Sequence, residues 1–270
     1  MLTNAAHALT GWAPAWCRDL CVYYHIRPSE ALELGTRAPG RRPSLPGSKT
    51  CPPVLGKTWE ELWENRPRDT EEARFAFWQE VGSWCAFRQA LRNRRRSFRF
   101  VLERLGMGDR FLEYGAGIAP ASWWLLQHCP VPLHLTIADV PSEHLNFGTW
   151  RLWRCLEFDR DPCCWTLRTI GLEPSILPLK EPYHAITAIE VLEHVSHPLQ
   201  TVAHLVEHLS PRGWLFEDFV PHAAAHAADL PSAQQERPAV YAYLEKTCEL
   251  LAGRHWALPG GGGTRTWRKC

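Results

Sequence analysis

The spacing of hydrophobic residues changes near residue 106 and predicts two different parts of the chain. From Arg110 onward, short apolar runs alternate with longer stretches in which apolar residues recur every three or four positions. The short runs predict five strands, at 110–114, 133–139, 164–170, 184–190 and 213–220. The longer stretches predict helices at 121–129, 143–157, 198–209 and 238–252. Strands that alternate with helices are typical of a parallel sheet covered by helices on both faces.

Two further strands are expected at the end of the chain. Residues 254–269, RHWALPGGGGTRTWRK, predict a final hairpin after the last helix. The sheet would then have seven strands. We therefore predict an α/β fold with a Rossmann-like, doubly wound sheet over residues 106–270.

The first 105 residues have a different pattern. Residues 59–105 carry apolar positions at helical spacing, including Phe77, Trp78 and Val81, and predict two or more helices. Residues 36–56 are rich in Pro, Gly and Ser and predict a linker or a long surface loop. We therefore expect an N-terminal helical cap over residues 1–105.

Composition narrows the class of protein. The chain has 270 residues, of which 45% are hydrophobic and 22% charged, so it can bury a full core. Its formal net charge of +1 provides no overall field that would attract nucleic acid or an anionic membrane. The sequence has no run of 18 apolar residues, no signal-peptide pattern and ten irregularly spaced cysteines. These features predict a cytoplasmic protein with reduced thiols and no membrane span.

A glycine-containing turn follows the first predicted strand. In LEYGAGIAP, residues 112–120, Gly115 and Gly117 let the backbone bend sharply and approach a ligand. A dinucleotide site would place a third glycine at position 120, which is Pro, and the charge of Glu113 would disfavour a pyrophosphate. A carboxylate at this position suits the ammonium of a methionine-like tail. Asp139, which ends the second predicted strand, is placed to accept both ribose hydroxyls.

The segment Glu113-Tyr114-Gly115-Ala116-Gly117, followed by Asp139, resembles the first motif of class I S-adenosylmethionine (SAM)-dependent methyltransferases. The similarity extends over residues 110–220, including YHAITAIEVLEHVSHP, which resembles the signature at the fourth strand of the family. One departure is Ala119, where a third glycine is common and whose side chain would loosen the turn. The resemblance implies a SAM-binding methyltransferase domain at 106–270, with cofactor contacts from Glu113, Tyr114, Gly115, Gly117, Asp139, Val140, Glu173 and Glu190.

A second motif, E-x-x-E-H, directly follows the fourth predicted strand. If a helix began there, Glu190, Glu193 and His194 would lie on one face at the carboxyl edge of the sheet. Two carboxylates and an imidazole suit Mg, Mn, Fe or Zn, with His222 or His226 as a fourth ligand. Similar motifs in small-RNA 2'-O-methyltransferases and ubiquinone-biosynthesis O-methyltransferases hold a divalent metal. In metal-free relatives the glutamate positions the cofactor and the histidine is a candidate base, so His194 and Glu193 are also the candidate catalytic residues.

A basic segment precedes the glycine turn. Residues 88–110 contain eight arginines and two acidic residues, which would fit either phosphate contacts or a solvated helix face. We expect a SAM-dependent methyltransferase that acts on O or N of a small, aromatic or partly apolar acceptor, with metal assistance left open. The alternatives are an RNA-end 2'-O-methyltransferase and a SAM-binding subunit or sensor without catalysis. The sequence specifies neither the acceptor nor the oligomeric state.

Overall fold

The computed structural model describes residues 14–31, 66, 70–93, 96–159, 164–174, 179–219, 229–254 and 263–270. Its main helices are α1 (Pro14–Tyr24), α2 (Glu71–Asn93), α3 (Arg99–Leu102), α4 (Pro120–His128), α5 (Glu143–Asp159), α6 (Pro198–Glu207) and α7 (Pro231–Thr247). Its strands are β1 (Arg110–Tyr114), β2 (His134–Asp139), β3 (Thr166–Gly171), β4 (Tyr183–Ala188), β5 (Leu209–Glu217), β6 (Cys248–Ala252) and β7 (Arg265–Lys269). The loop predicted at 36–56 lies outside the described residues, as do His222 and His226.

The strands form a seven-stranded sheet in the order β3-β2-β1-β4-β5-β7-β6. The first five are parallel, whereas β7 runs antiparallel to β5 and to β6. The central strands β1, β2 and β4 are buried along most of their length, which explains why they appear in the sequence as continuous apolar runs. The predicted Rossmann-like, doubly wound α/β fold is confirmed.

The end of the chain differs from the prediction. The predicted helix at 238–252 covers residues 231–247 instead, and residues 248–252 form β6. The last two strands pair with each other, as predicted, but the first of them is β6 at 248–252 and lies before the range 254–269 that the sequence indicated. Pairing at the sheet edge makes residues 248–252 a strand, although their local hydrophobic spacing predicts a helix. Similarly, β5 begins at Leu209, four residues before the strand that the apolar run predicted.

The helices begin where the sequence favours a helix start. Pro120, Pro198 and Pro231 occupy the first helical position of α4, α6 and α7. A proline is tolerated there because the missing N–H would have no partner within the helix.

The N-terminal helices pack directly onto the sheet domain. Phe77 and Val81 of α2 belong to the same buried cluster as Tyr114 and Leu112 of β1. A second buried cluster joins α1, α2, α5 and the turn after β1 through residues that include Leu20, Phe87, Phe147 and Ile118. The predicted cap thus shares its core with the sheet domain. Among the described helices, none is long and apolar enough to cross a membrane.

A buried ion pair fastens the antiparallel edge to the parallel sheet. Glu217 ends β5 and Arg265 begins β7, and neither side chain has exposed area. Arg265 donates from Nε to Glu217 Oε1 at 2.6 Å and from Nη2 to Glu217 Oε2 at 2.9 Å. Trp267 Nε1 and the N–H of Phe219 donate to the same carboxylate at 2.9 and 2.8 Å. The end of β5 is therefore held in place beside the candidate site.

Candidate functional site

The turn after β1 has the backbone conformation that its glycines permit. Gly115 and Gly117 have φ of +66° and +52°. A Cβ atom at Gly115 would overlap the Val191 side chain, and one at Gly117 would overlap the Gln89 amide. Ala119 also adopts the left-handed region, at φ 54°. Alanine therefore takes the conformation that a glycine favours, and its loosening of the turn stays a prediction.

The carbonyl groups of this turn are supported from behind. Arg151 of α5 is buried and donates from Nη2 to the carbonyl oxygens of Ile118 and Ala119, at 2.7 and 3.2 Å. The N–H of Ala116 donates to the carbonyl oxygen of Ala138 at 3.0 Å. These bonds hold the turn between β1, β2 and α5. Arg151 could not be recognised from the sequence, because an arginine in an amphipathic helix is usually solvated.

Glu113 has a structural role that the sequence did not indicate. Its carboxylate is buried and accepts hydrogen bonds from the N–H groups of Ala121 and Ser122, at 2.9 and 2.7 Å. These groups belong to the first turn of α4, where a negative charge is favoured by the helix dipole. Burial nevertheless raises the pKa of Glu113. The side chain thus fixes α4 to β1, and its contact with a cofactor ammonium stays a prediction.

Asp139 lies at the carboxyl end of β2, facing the turn. Its carboxylate accepts from the N–H of Gly117 and, at 2.6 Å, from the N–H of Val140. Burial raises the pKa of Asp139 to about 6 in spite of these bonds. The structure therefore brings Gly117 and Asp139 together, as the sequence predicted.

Three other predicted cofactor residues lie in different surroundings. Tyr114 is buried in the core cluster that includes Phe77, and Val140 is also buried. Glu173, two residues after β3, is exposed. Their roles toward a cofactor stay predictions.

The cap helix α2 lies across the glycine turn. Gln89 accepts a hydrogen bond at Oε1 from the N–H of Ile118, at 3.3 Å. Near the other end of the same helix, the Trp78 ring lies 5.4 Å from the His194 ring, measured between centroids. A glutamine within a helix carries no motif, so the sequence offered no signal for Gln89.

Glu190 does not lie on a helix with Glu193 and His194, so that expectation is wrong. It has φ 58°, and the helical turn begins only at Leu192. Its carboxylate forms ion pairs with Arg92 and, at 3.3 Å, with Arg96. Arg96 also lies 3.5 Å from Asp218, which accepts the N–H of Glu190 at 2.5 Å. Two arginines of the basic segment therefore connect the cap to the carboxyl edge of the sheet.

Glu193 and His194 lie close to Asp229 in this structure. One potential ligand atom from each of the three residues lies within 4.8 Å of the other two. His194 Nδ1 lies 3.9 Å from Asp229 Oδ1. Glu193 and Asp229 are buried and His194 is partly buried. Asp229 comes from the segment before α7, in which the sequence shows no recognisable pattern.

A second cluster, formed by His204, Glu207 and His208 of α6, also has potential ligand atoms in proximity. The N–H of Leu179 donates to His204 Nε2 at 3.1 Å, so the neutral ring carries its proton on Nδ1. That ring has no lone pair left for a metal ion. The cluster of Glu193, His194 and Asp229, called the acidic edge below, is therefore the better candidate for a metal site.

Comparison with known proteins agrees with this geometry. A family model described as a methyltransferase domain matches residues 86–242, more than half of the chain. The chain belongs to this methyltransferase family. Among solved structures, the methyltransferase resembles an O-methyltransferase family protein from Burkholderia thailandensis, with 11% identity and a TM-score of 0.50 over 76% of this chain and 64% of that one. It also resembles N-methyltransferase NodS from Bradyrhizobium japonicum WM9, in complex with S-adenosyl-L-homocysteine, with 17% identity and a TM-score of 0.43 over 63% and 84% of the two chains. A search of curated proteins finds no match.

The methyltransferase uses SAM as its methyl donor, as its family does. The residues of the turn fit this cofactor. Two glycines with positive φ let the backbone of the turn pass close beneath the side chains of Val191 and Gln89, and the Asp139 carboxylate lies beside this turn at the end of β2. Gly115, Gly117 and Asp139 are the residues that would hold it.

Proposed function

We propose that this SAM-dependent methyltransferase transfers a methyl group to an oxygen or nitrogen of a small, aromatic or partly apolar acceptor. The observation that supports the proposal most directly is that α2 contacts both the glycine turn and His194. This helix contacts the glycine turn through Gln89 and His194 through Trp78, about three helical turns apart. A small acceptor held under α2 would therefore lie between the cofactor turn and the acidic edge.

The wall of this acceptor pocket would be partly aromatic. Trp78 is only partly buried, so its indole ring has area that a bound acceptor can cover. Phe75, one turn earlier on α2, is partly buried and packs against the same hydrophobic cluster. Apolar walls with a few polar groups are typical of sites for small molecules. This supports an aromatic or partly apolar acceptor.

The chemistry that the chain must supply is limited. Bound SAM supplies a methyl group that is already activated by its sulfonium. The protein has to orient the acceptor, exclude water and, for a hydroxyl acceptor, promote loss of the proton. We assign the last task to His194 and Glu193, acting either directly or by holding a divalent cation that lowers the pKa of the hydroxyl.

The proposal is tested by cofactor binding and methyl transfer. Isothermal titration should detect S-adenosylhomocysteine binding, and labelled SAM should transfer its methyl group to a member of a panel of phenols, catechols and amines. His194→Gln should bind S-adenosylhomocysteine normally but transfer to hydroxyls on the order of 100-fold more slowly. A protein that binds neither SAM nor its demethylated product would refute the proposal.

The two alternative functions have less support. Arg92 and Arg96 are ion-paired with Glu190 and Asp218, which reduces the positive charge available for RNA phosphates. A salt-dependent RNA affinity in a filter-binding assay would favour the RNA-end methyltransferase instead. Tight cofactor binding without methyl transfer to any acceptor would favour a sensor. The cytoplasmic location stays a prediction.

A further inference from the structure

The cluster of Glu193, His194 and Asp229 is assembled from two segments. Glu193 and His194 lie on the turn after β4, and Asp229 lies just before α7. The N–H of Leu230 donates to the carbonyl oxygen of Glu193 at 2.8 Å, which fixes Asp229 beside the turn. The ligand atoms lie within 4.8 Å of one another, a separation that a small inward movement would bring to the spacing of ligands around one metal ion.

A buried carboxylate oxygen of Glu193 is left unsatisfied at this site. Its side chain is 4% exposed, and among the described residues its Oε2 has no hydrogen-bond partner. A buried carboxylate oxygen left in this way is costly unless a cation or a donor satisfies it. This orphaned atom is an observation independent of the proximity of the three residues.

The charges around Glu193 agree with this need for a cation. The Glu193 carboxylate has the acidic neighbours Asp218, Asp229 and Glu190, whose charges repel its own. Of these, Glu190 and Asp218 are paired with arginines of the cap. Glu193 Oε2 has no such partner among the described residues.

We propose that Glu193, His194 and Asp229 bind one divalent cation. Two carboxylate oxygens and one imidazole nitrogen form a mixed set that suits Mn²⁺ or Mg²⁺, and two carboxylates balance the charge of the ion. Glu190 is not part of this set, because its carboxylate is held by Arg92 and Arg96. The role of the site rests on the proposed function: the cation would bind the acceptor oxygen and favour its ionised form.

The test is a titration of the untagged, full-length, chelator-treated protein with Mn²⁺. The electron paramagnetic resonance signal of free Mn²⁺ reports binding without any activity measurement. We expect one Mn²⁺ per chain. Asp229→Asn and His194→Gln should each raise the dissociation constant at least about tenfold, since losing a ligand costs no less than disturbing its surroundings. Glu190→Gln and, as a control at the second cluster, His208→Gln should keep the affinity of the unmodified protein.

The outcomes separate the cation site from the proposed function. Circular dichroism shows which variants fold. If Asp229→Asn does not fold, the Mn²⁺ affinity of His194→Gln tests the cation site. The cation site is refuted if the unmodified protein binds no Mn²⁺, or if binding survives in the folded variants of His194 and Asp229. Loss of Mn²⁺ binding in Glu190→Gln alone would instead indicate that Glu190 is a ligand, as the E-x-x-E-H motif predicts. Calorimetry with S-adenosylhomocysteine on the same samples tests the methyltransferase function independently.

Discussion

Replacing Arg265 by methionine should cost about 3 kcal/mol of unfolding free energy, and replacing Glu217 by leucine about 5 kcal/mol. Both side chains are fully buried and joined by two hydrogen bonds, at 2.6 and 2.9 Å. Removing one member of such a pair leaves the other charge without compensation in a medium of low polarity. The cost is large compared with the few kcal/mol by which a domain is stable.

The two substitutions should differ because the carboxylate has more partners. Trp267 Nε1 and the N–H of Phe219 donate to Glu217, and so does the Tyr241 hydroxyl at 3.2 Å. Without Glu217, Trp267 Nε1 and the Phe219 N–H lose an acceptor, and each buried group left unsatisfied costs about 1–3 kcal/mol. Without Arg265, the same donors still hold the carboxylate. Glu217→Leu is therefore the more destabilising change.

Urea unfolding monitored by circular dichroism measures both costs. The double variant should be less destabilised than the sum of the single variants by about 1–3 kcal/mol, because each change removes the penalty left by the other. Arg268→Met is the matched control, since its ion pair with Glu249 is partly exposed and worth below about 1 kcal/mol. Equal costs for the two arginine variants, or strict additivity of the double variant, would refute the reasoning.

Three predictions concern the site. Gly115→Ala should abolish S-adenosylhomocysteine binding through overlap with Val191, whereas Gly108→Ala, which also has positive φ but no atom within 4 Å of its Cβ position, should bind normally in calorimetry. Burial raises the pKa of Asp139 to about 6, and ribose hydroxyls favour the ionised carboxylate. The affinity for S-adenosylhomocysteine should therefore be full above pH 7 and should fall by up to about tenfold per pH unit below pH 6. Asp139→Asn should remove this dependence, and an unchanged profile would contradict the assignment. Trp78→Ala should raise the KM for the acceptor about tenfold and leave cofactor affinity unchanged in steady-state and calorimetric assays; equal KM values would contradict an aromatic pocket wall.

The parallel part of the fold could be predicted because its strands are buried on both faces. Strands β1 and β2 appear as apolar runs at 110–114 and 134–139, almost where the sequence placed them. The edge could not be predicted in the same way. Residues 248–252 continue a helical pattern, and only their pairing with β7, some fifteen residues later, makes them a strand. Local spacing contains no information about that partner.

The site residues also differ in whether a local sequence pattern reveals them. Gly115, Gly117 and Asp139 could be recognised in the sequence, because a sharp turn after a buried strand requires glycines directly after an apolar run. Gln89 and Asp229 come from distant segments and carry no motif. They became recognisable only when the fold placed them beside the turn and beside His194.

The E-x-x-E-H motif shows why spacing alone does not fix a ligand set. On a continuous helix its three polar residues would share one face. Here Glu190 takes φ 58°, a conformation that costs a non-glycine residue about 1–2 kcal/mol. The ion pairs with Arg92 and Arg96 and the bond to Asp218 offset that cost. Glu190 thereby holds the cap, and the residue that lies beside Glu193 and His194 is Asp229, from a distant part of the chain.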